Sequence, residues 1–228
     1  TTETVDDCIW LNPATPNYFR LDEDTKLTSS EDFIVGTPIR LTHSPARRKL
    51  VLNILVDALP WQVLRTSFAE HMPETARFFA RGTIFDQHFS VLEYTYPSLA
   101  TIETGMYPQH TGIFSEWAAI ELNEEYITIS ERARDAGYAT ASLMGDGIGI
   151  YNGVTRGYDR LIVSPYRTFA YEGVERTIRY LNGCHEADHF IFLHFNDVHP
   201  WGGETFQISS AAQMRLPLAG RLSGSKEK

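Results

Sequence analysis

The sequence predicts an α/β fold, a mostly parallel central sheet flanked by helices on both faces. Three observations carry this. Residues 49–60, KLVLNILVDALP, form a nearly continuous apolar run that closes on a carboxylate and a proline. A strand buried on both faces and leading into a helix has that pattern. Strand-like and helix-like segments then alternate along the chain, which parallel pairing with crossover helices requires. Finally, the residues best suited to chemistry fall just after the strand-like segments, at the carboxyl ends where open α/β sheets bind ligands.

The elements follow in order. Residues 1–47 are polar, contain Pro13, Pro16, Pro38 and Pro45, and lack sustained periodicity, so they are expected to form an extended arm with one short strand near Phe33 to Val35. The apolar run begins the core domain, expected over residues 48–206. Pro60 can open a helix through WQVLRTSFAEH, and MPETARFFARG predicts a second helix that stops at Gly82. TIFDQHFSV has the alternation of a strand. PSLATIETG predicts a helix with Pro97 near its start and Gly105 past its end, which leaves Thr95 at a strand-to-helix junction. TISERARDAG carries a capping box, Thr128 with Glu131, and Gly137 as a stop. YATASLM, TFAYEGVERTIRYLNG and HFIFLHF predict a strand, a helix and a strand. Residues 207–228 are less patterned and are expected to be a tail or the start of a further half.

Composition sets bounds on function. The chain has 228 residues, 43% hydrophobic and 12% aromatic, enough for one sizeable core. Its net charge of −9 argues against a non-specific nucleic-acid binder, which needs a basic face. A small anionic substrate remains compatible, because a bound cation reverses the potential locally. Only Cys8 and Cys184 occur, so neither a disulfide framework nor a zinc ribbon is expected, and the redox compartment stays open. No run has the length of a membrane span and the first residues lack a signal-peptide pattern, although a leader removed before Thr1 is compatible with the missing Met. Localisation is left unassigned.

The most informative segment is YTYPSLATIETGMYPQHTGI. With the ILVDALP strand upstream, it resembles the sulfatase and nucleotide pyrophosphatase/phosphodiesterase branches of the alkaline phosphatase superfamily. The matching positions are Thr95, Pro97, Ser98, Thr104, Gly105, Tyr107, Pro108, His110 and Gly112. The resemblance covers residues 48 to 203 and implies an alkaline phosphatase-like fold with Thr95 as nucleophile. A threonine hydroxyl is a poor nucleophile near neutral pH, so a divalent cation on its oxygen is part of that expectation. Asp57 would be a hard oxygen ligand for the same cation; its structural alternative is helix capping, and that of Thr95 is an ordinary N-cap. FLHFNDVHPWGG resembles the sulfatase strand that ends in Asp-Pro-His, and implies that His199 reaches the substrate oxygen or leaving group while Asp197 helps with metal. The alternative is that both shape a loop. His194, inside the strand, is expected in or beside the core, and His185 and His189 on the surface. RGYD, at 156–159, resembles a sulfatase element that supports fold more than chemistry.

The departures from the family matter as much. Sulfatases carry Cys or Ser where Thr95 stands, and Arg where Leu99 stands. After YATASLM they carry Lys and His, where this chain has MGDGIG. Phosphate, phosphonate or related esters are therefore expected ahead of sulfate esters. The competing expectation is a non-catalytic member that binds an anionic glycan or a protein. Zn, Mn, Mg and Ca all suit the oxygen-rich site. Because the family draws further ligands from a C-terminal half, a C-terminal segment or second chain is expected to complete the site. Homo-oligomerisation is left open.

Overall fold

A computed structural model describes residues 17, 19–115, 120–144, 153–163 and 170–196. Four strands, β1 (Leu50–Val56), β2 (Ala139–Met144), β3 (Arg160–Val163) and β4 (His189–Phe195), form one sheet in the order β1-β4-β2-β3. Every pairing is parallel. The helices are α1 (Trp61–Leu64), α2 (Phe68–His71), α3 (Pro73–Phe79), α4 (Thr95–Thr104), α5 (Pro108–Thr111), α6 (Ile129–Asp135) and α7 (Ala170–Gly183). This is the α/β architecture expected from the alternation.

Side-chain parity along β4 explains the two layers. Because successive strand residues face opposite ways, Phe192 enters one core cluster with Leu99 and Ala100 of α4, whereas Ile191 and Leu193 enter another with Tyr180 of α7 and Cys184 just after it. Helices thus cover both faces. β4 is buried along nearly its whole length, as a central parallel strand must be, which is why HFIFLHF carries little polar alternation.

Local sequence explains the helix ends. The Thr128 hydroxyl accepts from the Glu131 amide while the Glu131 carboxylate accepts from the Thr128 amide, completing the expected capping box. Gly105, Gly112 and Gly137 follow α4, α5 and α6 with φ of 71°, 74° and 89°, the left-handed conformation that glycine adopts without a Cβ penalty.

Four expectations are corrected. The helix expected through WQVLRTSFAEH is two short turns, α1 and α2, with Pro60 as N-cap rather than inside the helix. TIFDQHFSV is not a strand: Phe85 and Phe89 are each 78% exposed, and the segment finds no strand partner among the described residues. Phe33 to Val35 is likewise no strand and is exposed. His189 is buried, its Nε2 2.8 Å from the Cys184 carbonyl, whereas His185 is exposed as expected.

The described arm from residue 19 to 47 contains no helix or strand. Its last part is nonetheless fastened down. Ile39 and Leu41 pack against the α7-side core. The Asp188 carboxylate, fully buried, bonds to His43 Nδ1 and accepts from the Ser44 amide at 2.9 Å and Arg47 Nε at 2.8 Å. No helix among the described residues is long and apolar enough to cross a membrane.

Candidate active site

Asp57 is the first residue past β1, held there by its amide donating to the Phe195 carbonyl at 2.7 Å. The next residue, Ala58, has φ 57°, the one non-glycine positive φ among the described residues. Strain of this kind tends to persist where surrounding structure fixes it for function. Here it turns the chain sharply after the carboxylate.

Thr95 is the first residue of α4, and its N-cap is Tyr94, so Thr95 is not itself an N-cap. The preceding loop is braced by Ser98, whose hydroxyl donates to the Tyr94 carbonyl at 2.9 Å, and by Ser90, which donates to the Leu92 carbonyl at 2.6 Å. With the loop held, Thr95 Oγ1 donates to Asp57 Oδ2 at 3.2 Å. The structure therefore brings together two residues 38 positions apart, at the carboxyl end of the sheet and at the positive end of the α4 dipole.

These two groups fit a shared cation. Two ligand atoms about 2.1 Å from one ion and about 100° apart lie ~3.2 Å from each other, the separation seen here. Both are oxygens, which suits a hard or borderline divalent ion. Among the described residues no group of three or more His, Cys, Asp or Glu gathers for a metal. Asp197 and His199 lie outside the described residues, as does MGDGIG beyond Met144.

The remaining resemblance positions divide by role. The hydroxyl of Thr104, the last residue of α4, donates back to the Ala100 carbonyl at 2.6 Å, and Pro108 is buried at the start of α5. His110 is exposed, and its carbonyl accepts from the Tyr126 hydroxyl at 2.8 Å. These residues build the turn rather than the site. Leu99 is buried in the core, so the position that carries Arg in sulfatases offers no polar group here. In RGYD, Arg156 Nη2 donates to the Tyr126 carbonyl at 2.6 Å, and the Thr140 hydroxyl bonds Asp159 at 3.0 Å. A Cβ at Gly157 would sit 2.2 Å from the Glu131 amide nitrogen, so that glycine permits the close approach of its loop to α6.

One buried carboxylate, and one contact of a histidine expected in the core, carry no local sequence signal. Glu103 of α4 is buried and accepts from the Tyr158 hydroxyl at 2.6 Å and the Ser130 hydroxyl at 2.8 Å. Burial raises its pKa above the usual carboxylate value, while the Tyr158 and Ser130 donors pull it back. His194 is in the core, as expected, but its Nε2 also lies 3.5 Å from Asp57 Oδ2. Strand parity alone bears on that contact: His194 shares a face with Phe192, the face on which α4 packs.

Residues 51–147 match the family model of type I phosphodiesterase / nucleotide pyrophosphatase. The fold is similar to a putative sulfatase from Bacteroides thetaiotaomicron VPI-5482, with 20% identity, a TM-score of 0.53, and coverage of 72% of this chain and 40% of that one. It is similar also to the phosphonate monoester hydrolase of Agrobacterium radiobacter, with 20% identity, a TM-score of 0.52, and coverage of 67% and 42%. A third similar structure is that of a protein in complex with its substrate D-glucosamine-2-N,6-O-disulfate, with 18% identity, a TM-score of 0.53, and coverage of 65% and 34%. No curated protein sequence matches the chain significantly. The chain aligns with about two fifths of the length of the first two solved proteins. The parallel sheet with its covering helices is an α/β fold similar to that of these solved structures. The family match over residues 51–147 and the similarity of fold are consistent with the alkaline phosphatase and sulfatase superfamily.

Proposed function

We propose that this chain is part of a metal-dependent hydrolase that cleaves a phosphate, phosphonate or related ester through Thr95. The observation that carries the reading is the 3.2 Å contact of Thr95 Oγ1 with Asp57 Oδ2 at the N-terminus of α4. A divalent ion held by Asp57, Thr95 and Asp197 would supply the positive charge that favours a deprotonated hydroxyl. Zn, Mn, Mg and Ca all suit an oxygen-rich set of this kind. The Thr95 oxygen, its proton released to water, attacks phosphorus. The ester P–O bond breaks, and His199 gives a proton to the departing oxygen. A water molecule then attacks phosphorus, breaks its bond to Thr95, and regenerates the hydroxyl.

Sulfate esters rank second, because Thr95 replaces the Cys or Ser of sulfatases and the buried Leu99 replaces their Arg. The test uses the intact protein with an aryl phosphate diester, an aryl phosphonate and an aryl sulfate, each with and without added divalent ion. Thr95→Ala is expected to lower phosphorus-ester turnover by on the order of a thousandfold or more, with the fold retained. Unchanged turnover in that variant would overturn the assignment, and faster turnover of the sulfate would reorder the substrates.

A further inference from the structure

His194 is 1% exposed, and neither of its ring nitrogens has a hydrogen-bond partner among the described residues. A neutral imidazole carries one N–H donor and one acceptor, and a buried group of this kind is costly to leave unpaired. Packing alone does not explain a histidine in that place, since an apolar side chain would fill it without that cost. In register it sits between Leu55 of β1 and Met144 of β2, so neither neighbouring strand presents it with a polar residue at its own level. Its Nε2 lies 3.5 Å from Oδ2 of the Asp57 carboxylate.

We propose that His194 is a positioning residue for the cation site, with its Nε2–H directed at Asp57 Oδ2 so that the carboxylate keeps its aim. The inference rests on the reading of Asp57 as a metal ligand. The separation is a few tenths of an ångström beyond hydrogen-bond range, and the same Oδ2 now accepts from Thr95. When Thr95 turns its oxygen to a cation, its proton leaves Oδ2, and the His194 N–H can donate there in its stead. Carboxylates that ligate metals are generally held by such outer partners, whose removal weakens binding without touching the ion. The position of His194 deep in β4, the most buried strand, gives that partner a rigid mount.

The test titrates Mn²⁺ into the intact protein by calorimetry, comparing wild type with His194→Leu and His194→Gln. The glutamine amide reaches roughly as far as Nε2 and keeps an N–H there. His194→Leu is expected to weaken Mn²⁺ affinity about 10- to 100-fold, and His194→Gln to restore most of it. Unchanged affinity in the leucine variant would overturn the proposal. Equal loss in both variants would also overturn it, in favour of packing or a direct nitrogen ligand. If the wild type takes up no divalent ion, the reading of Asp57 as a ligand has failed instead. Long-range ¹H–¹⁵N spectra of the metal-free protein then decide for His194 alone. An Nε2-protonated ring whose Nε2 signal moves in Asp57→Asn supports the contact, and an Nδ1-protonated ring, or an unmoved signal, overturns it.

Discussion

Ala58 shows how much of the site rests on one backbone angle. Its φ of 57° places an L-residue in the left-handed region directly after Asp57, at a cost of about 1 kcal/mol for alanine. Glycine would relieve that cost but lose more freedom on folding, so Ala58→Gly is expected to leave stability nearly unchanged or slightly raised. A β-branched side chain tolerates the angle poorly, so Ala58→Val is expected to destabilise by about 2 kcal/mol. Thermal melts of the three proteins check the order glycine, alanine, valine. A valine variant as stable as the wild type would show that the turn relaxes freely. The tandem carboxylates of sulfatases are reduced here to Asp57 followed by Ala58. Asp57 and Thr95 were legible as candidates because Asp57 follows the first strand and Thr95 opens a helix within a motif. His194 and Glu103 were not, because their partners lie far off in sequence and burial hides their polarity.

At the scale of elements, α4 is held at both ends. Its first residue faces Asp57, and near its last turn Glu103 reaches Ser130 at the start of α6 and Tyr158 in the loop before β3. The carboxylate thus lies at the positive end of the α6 dipole, as well as accepting two hydroxyl donors. Glu103→Ala would leave the Tyr158 and Ser130 hydroxyls without that acceptor, and is expected to cost about 2–4 kcal/mol. Tyr158→Phe removes one donor and is expected to cost about 1–2 kcal/mol. Urea unfolding of each variant measures this, and a cost below that of Tyr158→Phe in Glu103→Ala would show that α4 is fixed by its apolar face alone. Elements with strong local signals were legible: the apolar runs of β1 and β4, the capping box of α6, the glycine after α4. β3 escaped because four residues carry little pattern. TIFDQHFSV misled because its alternation satisfies local propensity, while strand pairing depends on a partner that no local pattern reveals.

At the scale of the whole molecule, the arm and the sheet meet at Asp188, just before β4. Its buried carboxylate bonds His43, the Ser44 amide and Arg47, and Arg47 Nη1 continues to the Ala136 carbonyl at 2.9 Å after α6. The Asp188 carbonyl accepts from the Ala139 amide at the start of β2, and the next amide, of His189, donates to the Lys49 carbonyl before β1. Asp188 and His189 together therefore tie the arm to the amino ends of three strands. The His43 hydrogen bond foremost, with the Ser44 amide and Arg47, holds the Asp188 carboxyl far below its ordinary pKa, although burial alone would raise it. A carboxyl depressed in the folded state binds protons less readily there than when unfolded. Its contribution to stability is thus full above the unfolded value of about 3.9 and is lost as pH falls below it. Asp188→Asn removes the ionised group at every pH. The variant should therefore melt well below the wild type at pH 7, and the gap should begin to narrow between about pH 4 and pH 3, closing only as pH falls further through the depressed folded value. A gap that stays constant across that range would mean the clamp works through shape rather than charge.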